Sequence, residues 1–249
     1  MPEYVWGRNP VLETLRSRRQ IKRILLAEGQ REAPVLAAII QEAERHDIPI
    51  ETTSRRRLDQ ISRGAVHQGC IAVVEARKYA TIEQILNLAT QKGEDPFLLL
   101  LDAIQDVNNL GSLLRTAEAA GVHGVVIPQH EAAEVNATVV KTSAGATEHL
   151  LIAQVSNLTK TIDALKKENI WVIGLAGEAQ TLYDKADLTG PLALVVGSEG
   201  KGISRLVREH CDLLVRLPMH GTINSLNAAV AGSIALYEAL RQRTNKAKK

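Results

Sequence analysis

Three stretches of this 249-residue chain hold residues that fill a core badly but bind or react well. The first, "DVNNLGSLLRTAEAAG", follows an apolar run and sets Asn109 six residues before Arg115. A guanidinium stays charged at every accessible pH, so an Arg held in a cleft needs a carboxylate or phosphate partner. On a helix beginning near Asn109, Arg115 falls less than two turns in and can reach back toward the strand end. A surface ion pair with Glu118 is the competing use of the same side chain. The second stretch, "VVGSEGKGIS" (195–204), runs from a strand into a glycine-rich turn with Glu199 at its tip. Ile203 stands where a P-loop needs Lys, and Arg205 where a dinucleotide fingerprint needs its third Gly. What remains is a tight turn in which Gly197, Gly200 and Gly202 let a ligand approach the main chain. The third, "HGTINSLNAAVAGS" (220–233), places Ser225 and Asn227 at a helix start, where they cap orphan amides or offer them to a ligand. Small residues follow, which suits close approach of another backbone, an internal packing or a subunit contact.

Strand ends are where such groups gather in an open α/β sheet. The runs "FLLLLDAI" (97–104), "VHGVVIP" (122–128), "IWVIGLAG" (170–177), "LALVVG" (192–197) and "LLVRLPM" (213–219) lack polar alternation, as expected for strands buried on both faces of a parallel sheet. Helical patterns separate them, including "EVNATVVKTSAGATEHL" and "SRLVREHC". Residues 1–76 alternate differently. Asn9 is a candidate cap for a first helix, "IKRILLAEG", "IPIETTS" and "GCIAVVEA" read as strands, and "APVLAAIIQEAERHD" and "RRRLDQIS" as helices. The expected organisation is a small α/β domain over 1–76, a connector with one helix over 77–95, and a larger mostly parallel α/β domain over 96–249.

Composition is that of a globular protein, with 45% hydrophobic and 23% charged residues and a formal charge of +2. Residues 1–76 hold 12 Lys and Arg against 10 Asp and Glu, while the remainder balances at 18 each, so the whole excess lies in the N-terminal third. It clusters as "RSRRQIKR" (16–23) and "RRR" (55–57), each a solvated face or a phosphate-binding patch. The two cysteines, Cys70 and Cys211, show no pairing or metal spacing, and the seven His form no HxxxH or HxxH, so no metal is expected. No apolar leader opens the chain and no run approaches membrane-spanning length; the expectation is a cytoplasmic protein with no membrane partner.

Taken in order, the three stretches resemble the motifs of the SpoU/TrmH family of RNA ribose 2′-O-methyltransferases, of the SPOUT superfamily. "DVNNLGSLLRTAEAAG", "LVVGSEGKGIS" and "LPMHGTINSLNAAVAGSIALYE" match its first, second and third motifs, and the likeness spans nearly all of 97–240. Residues 1–76, ending "GAVHQGCIAVVEA", look like the family's appended RNA substrate-binding domain. Val107 stands where the family has Pro, and Ala228 and Ala229 where it reads SLNVSVA. The polar positions Asn109, Arg115, Glu199, Ser225 and Asn227 are all retained.

The resemblance implies S-adenosyl-L-methionine as cofactor, bound at a trefoil knot with Gly197, Leu217 and Leu226 framing the adenosine, and a homodimer through the C-terminal domain. It implies attack of a ribose 2′-hydroxyl on the sulfonium methyl. Arg115 would clamp the adjoining phosphate and stabilise the developing alkoxide, Glu199 would take the proton or orient Arg115, and Asn109, Ser225 and Asn227 would hold these groups. With 3% aromatic residues the chain has few stacking platforms, so RNA contact is expected through phosphates at Arg16, Arg18, Arg19, Arg55, Arg56 and Arg57. The branch that modifies a guanosine of 23S ribosomal RNA fits best. A tRNA-modifying relative and an inactive RNA-binding relative are the alternatives.

Overall fold

The computed structural model describes residues 3–17, 19–222 and 225–246. In chain order the elements of the first half are β1 (Glu3–Trp6), α1 (Arg8–Arg16), β2 (Ile21–Ala27), α2 (Pro34–Arg45), β3 (Ile50–Thr53), α3 (Arg55–Ser62), β4 (Cys70–Val74), α4 (Ile82–Lys92), β5 (Phe97–Asp102) and α5 (Val107–Ala119). The second half follows with β6 (Gly124–Pro128), α6 (Ala137–Thr142), β7 (Leu151–Val155), α7 (Leu158–Lys167), β8 (Trp171–Leu175) and β9 (Thr181–Leu182). It closes with β10 (Leu192–Gly197), α8 (Arg205–His210), β11 (Leu213–Arg216) and α9 (Ala228–Lys246). These elements form two units, one of residues 1–78 with 135–149, the other of 79–134 with 150–249. No described helix is long and apolar enough to cross a membrane.

The first unit is built on a four-stranded sheet ordered β1-β4-β2-β3, with β4 antiparallel to both neighbours and β2 parallel to β3. Its β1, "EYVW", went unread in the sequence because four residues are too short to show a period. Helix α1 starts one residue before Asn9, with Gly7 as its cap at φ 99°, a left-handed conformation that only Gly takes freely. Val11, Leu15, Ile24, Ile39 and Ala72 form the core between the helices and the sheet. The segment 135–149 belongs here. Its helical pattern breaks after α6, where Ala144 and Gly145 take φ of 54° and 92°, and resumes only as a 3₁₀ turn at Ala146–Glu148. Glu148, almost wholly enclosed, pairs with Arg19 at 3.2 Å and with Arg77. Arg19 also pairs with Glu3 and donates to the Glu75 carbonyl.

In the second unit seven strands run β7-β6-β5-β10-β8-β11-β9, every pairing parallel. Strands β5 and β10 are buried along their whole length, which explains their unbroken apolar sequences. Strand β10 lies between β5 and β8 although it follows both in the chain, and its Gly197 stands level with Asp102 at the carboxyl end of β5. Neither β7, directly after the helical pattern that ends at Leu150, nor the two-residue β9 is expected from sequence. Residues 79–95 are part of this unit. Helix α4 has a Thr81–Gln84 capping box and buries Ile85 so close to β6 that a Cβ on Gly124 would lie 2.4 Å from it.

At the foot of β5 the enclosed His123 accepts from the Phe97 amide through Nδ1 (3.0 Å) and faces Glu94 through Nε2 (3.1 Å). Burial, chiefly, holds its pKa below the ordinary 6.5, with Glu94 opposing and Lys92 adding to the shift. A base whose folded pKa is depressed takes up its proton more readily once unfolded, so its contribution is complete above about pH 6.5 and is lost as pH falls below that. We expect the melting temperature of the native chain to drop more steeply from pH 7 to pH 5.5 than that of a His123→Gln variant. Parallel slopes would mean that His123 does not control this region.

Candidate active site

Helix α5 begins with Asp106, whose carboxylate accepts from the amides of Asn108 (2.9 Å) and Asn109 (2.8 Å). The acid after β5 is thus a helix cap, and Val107 occupies the first helical position, where a Pro would fit equally well. The cap turns the Asn109 side chain inward. Its Nδ2 donates to Glu199 Oε2 at 3.1 Å.

Glu199 is carried by the turn after β10. Ser198 and Gly202 exchange two backbone hydrogen bonds, 3.0 and 2.8 Å, across a loop in which Gly200 and Gly202 take φ of 83° and 64°. Gly197 has a different reason. A Cβ there would lie 2.0 Å from the Gly202 carbonyl carbon and 2.2 Å from the Ile203 nitrogen, so the turn folds back onto its own first residue. The enclosed Asp102 fastens the far end by accepting from the Ser204 amide at 2.6 Å.

The third group comes from the start of α9. Asn227 Oδ1 accepts from the amides of Ala229 (2.9 Å) and Val230 (3.2 Å), which caps the helix. Its Nδ2 donates to Asn109 Oδ1 (2.8 Å) and to Glu199 Oε1 (3.3 Å). Asn109, Glu199 and Asn227 therefore close a triangle drawn from three separate motifs. The small residues of α9 face inward: Ala228, Ala229, Ala235 and Ala239 are buried, and a Cβ on Gly232 would lie 2.5 Å from Leu113 of α5. Val230, Ile234 and Tyr237 face outward at helical spacing, with Leu226 exposed just before them, while Leu236 is buried.

Two hollows meet at this triangle. One, of about 270 Å³, lies beyond the ends of β8, β10 and β11 and is lined by Leu175–Glu178, Val196–Ile203, Arg216, Leu217, Leu226 and Ala228. Gly197, Leu217, Leu226 and Ser225 all line it. The other, of about 560 Å³, lies beside β5 and is lined by residues 102–106 with Asn109, Glu131 and Lys201, most of them with polar side chains. Glu199 borders both. At the rim of the smaller hollow Arg208 pairs with Glu178, two residues that the sequence reading did not single out. Burial pushes the thiols of Cys70 and Cys211 up to about 12, so neither is a nucleophile near neutral pH.

Arg115 does not join the triangle. Six residues along a helix leave two side chains about 120° apart, so when Asn109 points in, Arg115 points out. It is exposed and has no hydrogen bond or ion pair among the described residues, Glu118 included. Its neighbour Thr116 bonds Ser233 of α9 at 2.9 Å, so the face of α5 that meets α9 is the one Arg115 points away from. Of the basic residues, Arg55, Arg56 and Arg57 are exposed on the first turn of α3, with Ser54 as cap and no acid in that turn. Arg16 is exposed and pairs with Glu13 at 3.2 Å. Arg19 departs from expectation, since its guanidinium is spent on Glu3, Glu148 and Glu75. Arg18 lies outside the described residues.

Fold and site together define an α/β protein with a nucleoside-sized cleft at its strand ends beside a polar pocket. The profile of the SpoU rRNA Methylase family matches residues 96–237, and that of the RNA 2′-O ribose methyltransferase substrate-binding domain matches 4–80. The chain belongs to the SpoU rRNA methylase family. It is 44% identical over 241 residues to YacO of Bacillus subtilis (strain 168), which is named for the TrmH family of tRNA/rRNA methyltransferases, covering 97% of this chain and 96% of that one. It is 44% identical over 245 residues to the 23S rRNA (guanosine-2′-O-)-methyltransferase RlmB of Pectobacterium atrosepticum, covering 98% and 99%. Among solved structures, the SpoU methyltransferase AviRb from Streptomyces viridochromogenes, in complex with AdoMet, superposes with a TM-score of 0.82 at 25% identity, covering 97% of this chain and 90% of that one.

The geometry of the turn makes Gly197 its least replaceable residue. Gly197→Ala should cost about 1–3 kcal/mol in urea unfolding, because the added methyl meets main chain that cannot step aside. Gly177→Ala, where nothing lies within 4 Å, should stay within about 0.5 kcal/mol. Equal effects at the two positions would show that the turn is not closed on Gly197.

Proposed function

We propose that this protein methylates the ribose 2′-hydroxyl of a guanosine in 23S ribosomal RNA with S-adenosylmethionine as donor, in the cytoplasm. The observation that carries the reading is Glu199, held by two amides at the border between the two hollows. Full-length relatives named for 23S rRNA guanosine support the substrate over a tRNA. The residues fit the donor: Leu175, Leu217, Leu226 and Ala228 offer apolar walls, and the 197–202 turn offers bare main chain. When bound there, the donor supplies an electrophilic methyl group. The insertion of β10 between β5 and β8 is consistent with the knotted threading that the family resemblance implies.

The chain's own residues then have distinct tasks. Asn109 and Asn227 fix both oxygens of Glu199, which is left facing the polar pocket to accept the hydroxyl proton. Ser225 adds a hydroxyl at the cleft wall. Arg115, unpaired on the surface, clamps the phosphate beside the reacting ribose and steadies the developing oxyanion. Arg55, Arg56 and Arg57 contact RNA backbone. Three cations at the positive end of a helix repel its dipole, and an arriving phosphate relieves that. Arg16 assists from α1. Arg19 is left out of this set because its charge is already matched.

Two copies of the chain pair through α9. A helix that buries Ala and Gly and exposes Val230, Ile234 and Tyr237 has an apolar face prepared for another surface. Val230→Asp should halve the mass seen by light scattering; an unchanged mass would reject this face.

The reading is tested by methyl incorporation into a 23S rRNA fragment. Arg115→Ala should lower the rate about 100- to 1000-fold while the donor binds as tightly as before. A variant that methylates near the native rate would remove Arg115 from the reaction.

A further inference from the structure

The cleft assigned to the methyl donor is lined by two carboxylates. Glu199 is committed, with both oxygens engaged by Asn109 and Asn227. Glu178 is not. It sits three residues past the end of β8, on a turn closed by a hydrogen bond from the Ala179 amide to the Ala176 carbonyl at 3.1 Å. Both flanking alanines are buried, and the Ala176 amide is tied to β11 through the Val215 carbonyl at 2.9 Å. The carboxylate is therefore presented from a fixed piece of main chain. Its Oε1 pairs with Arg208, while its Oε2 has no hydrogen bond among the described residues.

Arg208 is half satisfied in the same way. Its Nη1 meets Glu178 and its Nη2 donates to the Ile203 carbonyl at 3.2 Å, but its Nε is enclosed with no acceptor. An ion pair this exposed adds little to stability, so stability does not account for it. Both residues line the cleft. The pair thus brings one spare acceptor, held in place by a fixed cation, to the wall of a nucleoside-sized hollow at the carboxyl end of a parallel strand.

We propose that Glu178, steadied by Arg208, recognises the ribose hydroxyls of the bound donor. A vicinal diol offers hydroxyl donors to a carboxylate, which matches the acceptor capacity that Glu178 leaves unused while Arg208 holds its other oxygen. The adenine ring takes the apolar walls, where a carboxylate would only be desolvated. Glu178 is then a cofactor-binding residue and Arg208 a positioning residue for it. This inference rests on the methyl-donor reading of the cleft.

Calorimetry separates the two. The ligands are S-adenosylhomocysteine, its 2′-deoxy and 3′-deoxy forms, and methylthioadenosine, which keeps the ribose but lacks the amino-acid tail. The native protein should bind S-adenosylhomocysteine, and failure to do so would sink the donor reading itself. Glu178→Ala should weaken both S-adenosylhomocysteine and methylthioadenosine about 10- to 100-fold and erase the preference for the hydroxylated forms over at least one deoxy form. Arg208→Ala should weaken both ligands less and reduce that preference, with Arg208→Lys restoring part of it. The melting temperature of ligand-free Glu178→Ala should match the native value, which separates lost recognition from lost fold. If Glu178→Ala keeps the native preference, or if methylthioadenosine is bound as before while S-adenosylhomocysteine is weakened, the ribose assignment is overturned.

Discussion

One side-chain amide holds this site together. Asn227 caps α9 with its oxygen and, with its nitrogen, bonds Asn109 and Glu199. The helix cannot start elsewhere without releasing the carboxylate, and the carboxylate cannot turn away without leaving two amides unmatched in a half-buried setting. The position of Glu199 is therefore coupled to secondary structure. Three motifs separated by up to 118 residues meet in a triangle whose sides are 2.8, 3.1 and 3.3 Å.

The rest of the second unit serves that triangle. Parallel pairing of β5, β10, β8 and β11 brings four strand ends to one edge, and the Gly197 turn reverses there because no side chain obstructs it. Helix α9 can lie against α5 and β10 only because Gly232 leaves room for Leu113 and Val196. Its small residues are thus a requirement of close packing, Leu236 is buried with them, and Val230, Ile234 and Tyr237 are left on the outer face. The same helix start shapes the cleft and the triangle, which is why its composition looked so odd as a core helix.

Much of this was legible beforehand, for physical reasons that differ by element. Strands β5 and β10 showed in the sequence because burial on both faces leaves an unbroken apolar run; β7 and β9 did not, the first lying next to a helical pattern and the second having two residues. Asn109, Glu199 and Asn227 could be picked out as polar groups at strand and helix ends. That they bond one another could not, because contacts across 90 and 118 residues leave no local period. Arg115 was traced toward the strand end by counting turns, yet the angle between positions 109 and 115 sends it outward. Arg19 was indistinguishable from its basic neighbours until Glu148 appeared against it. Glu178 and Arg208 carry no motif.

The central claim is that a nucleoside cofactor lies against the 197–202 turn with Glu199 fixed at its border by Asn109 and Asn227. A crystal structure of the protein with S-adenosylhomocysteine tests it most directly. The account predicts the nucleoside between residues 175–178, 197–202 and 217–228, with all three hydrogen bonds of the triangle retained. Density for the ligand anywhere else, or a Glu199 released from both amides with the ligand in place, would contradict it.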